Sequence, residues 1–234
     1  MVRGDALLIR LQALAERVPF DLAIRPGVPA DEVDRWPVPV PTAVRGLLTR
    51  LGGFAVGPWE FTLTGHPRQG GGHGVPHPHW LVTDDGGGGV TWVDVAPGGS
   101  WGQVLMQYRE GGLFVEADSL PAWLDRLITT AEDLVDETGF EDGDQPWLDD
   151  FWDALNLSGP ELPLHSAARL QADGGDPVVA ELAARVPGTA LLADLRGAVP
   201  GSRARFDREF RSYRLVRAAD GPVFAAVPRD TDSV

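Results

Sequence analysis

Four of the five histidines fall in one short stretch, His66, His73, His77 and His79, and Asp84 and Asp85 follow directly. Imidazole and carboxylate are the ligand types of catalytic zinc, and a metal so held would activate a bound water for hydrolysis. A divalent-metal hydrolase built here would use His77, His79 and Asp85. The neighbouring residues oppose that chemistry. Gly70, Gly71, Gly72, Gly74, Pro76 and Pro78 make the segment a loop rather than a rigid ligand platform. Pro78 also disturbs the shared face that two histidines at i and i+2 would have in a strand. The expectation is a solvated loop with no metal and no cofactor.

Asp84-Asp85 followed by four glycines has the look of a phosphate cradle, but adjacent carboxylates repel phosphate and the lysine such a loop needs is missing. Asp84, Asp85 and Asp94 could instead bind a cation; the commoner role of aspartate at such a tip is to hold turn amides. The whole stretch from Trp80 to Val95 reads as a β-hairpin, two Trp- and Val-rich runs around an acidic glycine turn. Ser100 and Ser119 lack a recognisable histidine–aspartate setting, and no Gly-x-Ser-x-Gly elbow occurs.

The composition narrows the classes further. Cysteine is absent, which excludes disulfides, thiolate catalysis and Cys-ligated metal. All 20 basic residues are arginine, so a Schiff-base lysine is excluded as well. No apolar run approaches the roughly 18 residues of a membrane span, and no signal-peptide pattern opens the chain; a cytoplasmic protein is the simplest expectation. The net charge of −14 argues against nucleic acid or an anionic membrane as the main partner. It suits either a basic protein partner or simple solubility. The charge is uneven: residues 131–160 carry ten Asp or Glu and no Arg, while residues 196–217 carry seven Arg. The run from Arg203 to Arg217 interleaves basic and aromatic residues as nucleic-acid binders do. The preferred reading is a surface helix pairing with the acidic stretch of the same chain.

These residues must be positioned by a mixed set of elements. Leu7, Leu8, Leu11, Leu14, Ala15 and Val18 recur at helical spacing, Asp31 to Trp36 suits a short helix, and Pro41 to Leu51 suits another, with Gly52-Gly53 as its stop. The period then becomes two: Trp59, Phe61 and Leu63 alternate with Glu60, Thr62 and Thr64. Further strands are expected over 80–83, 90–95, 103–108 and 113–116, paired antiparallel because their links are short. Ser119 caps a helix over 120–138. This is an α+β fold, an antiparallel sheet of four to six strands flanked by helices over residues 1–139, with a smaller C-terminal extension over 140–234. In the extension, Trp147 to Leu157 and Pro177 to Val186 suit helices, 158–176 a loop around a short helix, and 212–218 with 222–227 a hairpin around Asp220-Gly221. The expected core includes Leu48, Trp59, Phe61, Trp92, Val93, Trp123, Leu124 and Leu127. Trp101, following Pro97-Gly98-Gly99-Ser100, falls in a loop and is a candidate interface anchor.

Four local patterns occur in order: Val40 to Gly53, the aromatic strand at Trp59, Leu81 to Val95, and Ala117 to Ile128. Together they resemble the SUKH superfamily, the domain shared by a fungal cell-wall-synthesis regulator and many bacterial toxin-immunity proteins. The resemblance covers about residues 20–138. It implies a non-enzymatic protein-binding module, in bacteria one that neutralises a cognate toxin by direct contact; a regulatory module unrelated to toxins is the alternative. In that family the Asp85-Gly86-Gly87-Gly88 tip and Asp94 are structural. Gly52-Gly53 stands where the family has Asn-Gly, and the histidine loop and residues 140–234 lie outside the pattern. Expected partner-binding residues are Glu132, Asp133, Asp136, Glu137, Glu141, Asp142, Asp144 and Trp101, facing a basic toxin domain.

Overall fold

The structure, a computed structural model, describes residues 3–18, 22–64, 75–84, 89–138, 146–155, 157–206 and 212–229. It is an α+β fold. His66, His73, Asp85, Glu141, Asp142 and Asp144 lie outside the described residues.

The chain opens with α1 (Arg3–Arg17), β1 (Leu22–Pro26), α2 (Ala30–Val33) and α3 (Thr42–Leu48). Then come β2 (Leu51–Val56), β3 (Trp59–Thr62), β4 (His79–Asp84), β5 (Val90–Val95), β6 (Trp101–Gln107) and β7 (Leu113–Ala117). Helices α4 (Leu120–Thr138) and α5 (Pro146–Leu155) follow, then β8 (Leu164–Ser166), α6 (Ala167–Asp173), α7 (Pro177–Ala184) and β9 (Leu191–Asp194). The chain closes with β10 (Arg203–Ala204), β11 (Tyr213–Arg217) and β12 (Val223–Pro228).

Several elements match their sequence signals. Strands β4 and β5 form the expected antiparallel hairpin, and the Ser119 hydroxyl accepts from the Ala122 amide at 3.3 Å to start α4. Strands β11 and β12 pair around Gly221, whose φ of +79° suits a residue without Cβ. Other expectations are corrected. The helix from Pro41 stops at Leu48, and Gly52-Gly53 lie inside β2 rather than beyond a helix end. A Cβ on Gly53 would stand 2.3 Å from the Phe61 carbonyl oxygen across the β2–β3 pair, so the glycine serves close strand approach, not helix termination. Strand β1, read from sequence as no element, pairs with β2. The expected single sheet is two: β1-β2-β3, and a five-stranded sheet in the order β10-β7-β6-β5-β4. The surface helix expected over the Arg203–Arg217 run gives way at its described ends to strands β10 and β11, and in β11 Tyr213, Leu215 and Arg217 alternate inward with Arg214 outward. Among the described residues the run does not neutralise the acidic helix α4 either. That role falls to α1, whose Arg10 reaches Asp125 and Glu132 at 2.5 Å each and whose Arg17 pairs with Asp136.

The layers run helix, sheet, sheet, helix. Trp80, Val82, Val93 and Val104 face a core shared with α1, α3, α4, α5 and the three-stranded sheet. Alternate residues Leu81, Trp92, Leu105 and Val115 face the opposite way, onto Ala193, Tyr213, Leu215 and Phe224 of a four-stranded sheet ordered β11-β12-β9-β8. Leu192, Val223 and Ala225 on its far side pack under α6 and α7. The hydrophobic core therefore runs across the boundary at 139/140. Trp147, Phe151 and Leu155 belong to the first core, β10 adds to the first sheet, and Gln103 donates to the Ala198 carbonyl at 3.1 Å.

Both faces of β5 are buried, so Asp94 points between the sheets. Arg217 meets it with two charge-assisted bonds, Nε to Oδ1 at 2.6 Å and Nη2 to Oδ2 at 2.8 Å. The side chains are 3% and 5% exposed, so solvent does not screen this pair. The Arg217 Nη1 donates to the Ala218 and Ala219 carbonyls. The Asp94 carboxylate is thus committed within the fold and is not a cation ligand.

Removing one member strands a buried charge, so Arg217→Met should lower the unfolding free energy by about 3–5 kcal/mol. Asp94→Asn combined with Arg217→Met should regain much of that loss. Urea denaturation of the wild type, both single variants and the double variant checks it; a double variant as unstable as the sum of both single variants would show no pairing.

Tyr213 sits between the sheets, edge-on to Phe206, and its hydroxyl accepts from the Gly112 amide at 3.2 Å. Burial pushes its phenol up to about 12. In the unfolded chain it ionises near pH 10. The folded state thus holds this proton more tightly than the unfolded state does. The Tyr213 contribution to stability should therefore fall as pH rises from about 10 to 12 and level off above, a loss of roughly 3 kcal/mol. The chain has no lysine, so the window is free of amine side-chain titration. Phenolate absorbance together with chemical denaturation across this range tests the expectation.

Candidate functional site

A cleft of about 450 Å³ opens on the helix-facing side of the five-stranded sheet. Its floor is a cross-strand row, Thr83 opposite Thr91 and Thr91 opposite Met106. Farther along the same strands this face carries Trp80, Val82, Val93 and Val104, which the first core covers. At the cleft the row is smaller and more polar, and the sheet is left open. One wall comes from β3, where Trp59 and Phe61 line the space. The other comes from Trp123 and Leu127 of α4 with Leu155 of α5. Phe61 and Trp123 meet edge to face, with ring centroids 5.6 Å apart, and the Thr83 hydroxyl donates to the Glu60 carbonyl at 2.9 Å, tying β3 to β4. Trp59, expected in the core with Phe61, is only half-buried because its ring forms this open wall.

Among the described residues the lining includes three carboxylates, Glu60, Asp84 and Glu116, and no basic side chain. Glu60 is exposed and held by Arg25 at 2.6 Å. Glu116 is largely buried, with its side chain 12% exposed and its Oε2 on Arg126 of α4. Arg126 also donates to the Leu155 carbonyl at 2.7 Å, fixing α5 against α4. No described residue donates a hydrogen bond to Oε1 of Glu116. Burial raises the Glu116 carboxyl above its ordinary value, against the opposing pull of Arg126. The neighbouring Tyr108 phenol is likewise raised, first by burial and then by the Glu116 charge. A desolvated carboxylate with one open oxygen among aromatic faces is arranged to receive a hydrogen-bond donor or a cation.

The expected site residues are dispersed. Trp101 starts β6 rather than sitting in a loop; its indole stacks on Trp80, with centroids 5.6 Å apart, and donates to the Pro39 carbonyl at 2.8 Å. Glu132 is half-buried under Arg10, while Asp133, Asp136 and Glu137 are exposed on α4. His79 is buried, with Nδ1 3.1 Å from the Pro76 carbonyl and its ring edge-on to Trp92. His77 lies beside it, with centroids 5.2 Å apart. No group of three metal-ligating side chains occurs among the described residues. Pattern reading missed Tyr108 and Glu116. The available signal was Glu116 itself, a lone carboxylate at an alternate position in the otherwise apolar strand Leu113–Ala117.

Comparisons with protein-family models, with curated proteins and with solved structures found no match. No helix among the described residues is long and apolar enough to cross a membrane.

Proposed function

We propose that this chain is a non-enzymatic protein-binding module for a partner with a basic surface, acting in the cytoplasm as an immunity-type protein that neutralises a cognate toxin. The observation that carries the reading is the carboxylate surface left over once α1 has taken its share. Arg10 and Arg17 occupy Asp125, Glu132 and Asp136. Asp133 and Glu137 of α4 and Asp150 and Asp153 of α5 remain exposed, with no ion pair among the described residues. Fixing like charges on two packed helices is unfavourable for the free protein and favourable towards a cationic surface. The local patterns that resemble the SUKH superfamily support the same reading.

Co-expression with the products of neighbouring genes tests it: one of them should be toxic alone and harmless with this protein, and the two should co-purify. Because exposed charges act chiefly on encounter, the association rate with that partner should fall steeply from low to high salt. Asp133→Arg, Glu137→Arg and Asp150→Arg together should slow it at least about tenfold at low salt. A rate indifferent to both salt and charge reversal, measured by stopped flow, would reduce the acidic surface to a solubilising one.

A further inference from the structure

We propose that the cleft between β3, the five-stranded sheet and α4 receives one cationic side chain, a guanidinium or ammonium, projected by the protein partner. The inference rests on the protein-binding reading and names the anchor of that contact. Four observations converge on it. The cleft has the size of a small-ligand pocket, about 450 Å³ within the usual range of about 300–1,000 Å³. Its walls present the indoles of Trp59 and Trp123, and aromatic faces attract a cation through their quadrupole. Its described lining has carboxylates and hydroxyls but no base of its own. In its lining Glu116 keeps one oxygen on Arg126, and no described residue bonds the other.

The chemistry favours a cation over a neutral polar ligand such as a sugar. A sugar could hydrogen-bond the Thr and Tyr hydroxyls of the lining but would bring no counter-charge to its carboxylates. A cation entering from solvent gives a charge-assisted bond to Glu116 Oε1, which no described residue bonds, and the low-dielectric walls strengthen it. Arg126, bound from behind through Oε2 and tethered to the Leu155 carbonyl, holds the carboxylate in place without filling the cleft. A planar guanidinium also stacks on an indole face in a way an ammonium does not. Arginine is therefore the preferred occupant.

The test uses the full chain alone, with N-acetyl-argininamide, N-acetyl-lysinamide, uncharged N-acetyl-norleucinamide and a neutral disaccharide as probes, read by tryptophan fluorescence and calorimetry. Saturable binding is expected for the two cationic probes, tighter for the arginine probe, with dissociation constants on the order of millimolar, as suits one side chain. Glu116→Gln should weaken the arginine probe at least tenfold. Trp59→Ala, at a partly buried position, should weaken it severalfold, and it carries the test if Glu116→Gln unfolds. No saturable binding of either cation, equal binding of norleucinamide, preference for the disaccharide, or unchanged affinity in a folded variant would each overturn the proposal. Partner association and its salt dependence do not enter this experiment, so its failure would leave the protein-binding reading standing. Loss of salt-dependent association with probe binding intact would instead remove that reading alone.

Discussion

The five-stranded sheet is covered on both faces, and that constraint governs most of what surrounds it. In a sheet with one wet face, alternate residues can be polar without penalty. Here all six residues of β5, Val90–Val95, are buried, so the one charge among them must find its partner inside the protein. Strand β11 supplies it. Residues 213, 215 and 217 point the same way, so the pleat that buries Tyr213 and Leu215 also delivers Arg217 to Asp94. A bidentate pair between two sheets fixes their register more strictly than apolar contact does, since a shift of one residue would leave two buried charges unmatched. The C-terminal extension is therefore a structural layer of the fold rather than an appendage.

The cleft lies where coverage of the helix-facing side stops. Thr83, Thr91 and Met106 replace the bulky residues found farther along the same strands. Threonine is comfortable in a strand and tolerates contact with water, so the open end costs little in β propensity. Glu116 differs. Its burial disfavours the charged form, and Arg126 only partly offsets that. A carboxylate kept under such conditions is destabilising unless something else gains from it, which is the pattern of binding and catalytic sites.

Legibility in the sequence followed the range of the interactions involved. Helix α4, the β4–β5 hairpin and the β11–β12 hairpin are set by neighbours within a few residues, and caps, turns and periodicity announced them. Gly52-Gly53 misled because two glycines after a helical run are equally suited to a stop and to a strand pressed closely by its neighbours. Only the Phe61 carbonyl, on the next strand, decides between them. The arginine-rich run misled for a related reason. Its 212–218 end was legible as a hairpin strand, but not the burial of Arg217, which answers Asp94, 123 residues away. Trp59 was legible as a strand residue but not as a wall, because half-burial depends on how far the helices extend over the sheet. The candidate cleft is assembled from β3–β7, α4 and α5, and no local pattern encodes such a meeting.

The acidic helices and the cleft would contribute to recognition in different ways. Asp133, Glu137, Asp150 and Asp153 face solvent, where at physiological salt their influence decays over about 8 Å. They can steer a basic surface into place, but little of their energy survives in the finished complex. Glu116 is shielded from salt by the walls around it, and its strength is felt only once water has been displaced. An encounter guided by the helices and held by the cleft would thus divide the kinetics, association depending on ionic strength and dissociation largely not. The same division explains why an excess of surface charge need not imply promiscuity. Many basic proteins would be drawn to α4 and α5, but only one that projects a cation of the right reach and planarity could meet Glu116 in the cleft lined by Trp59 and Trp123.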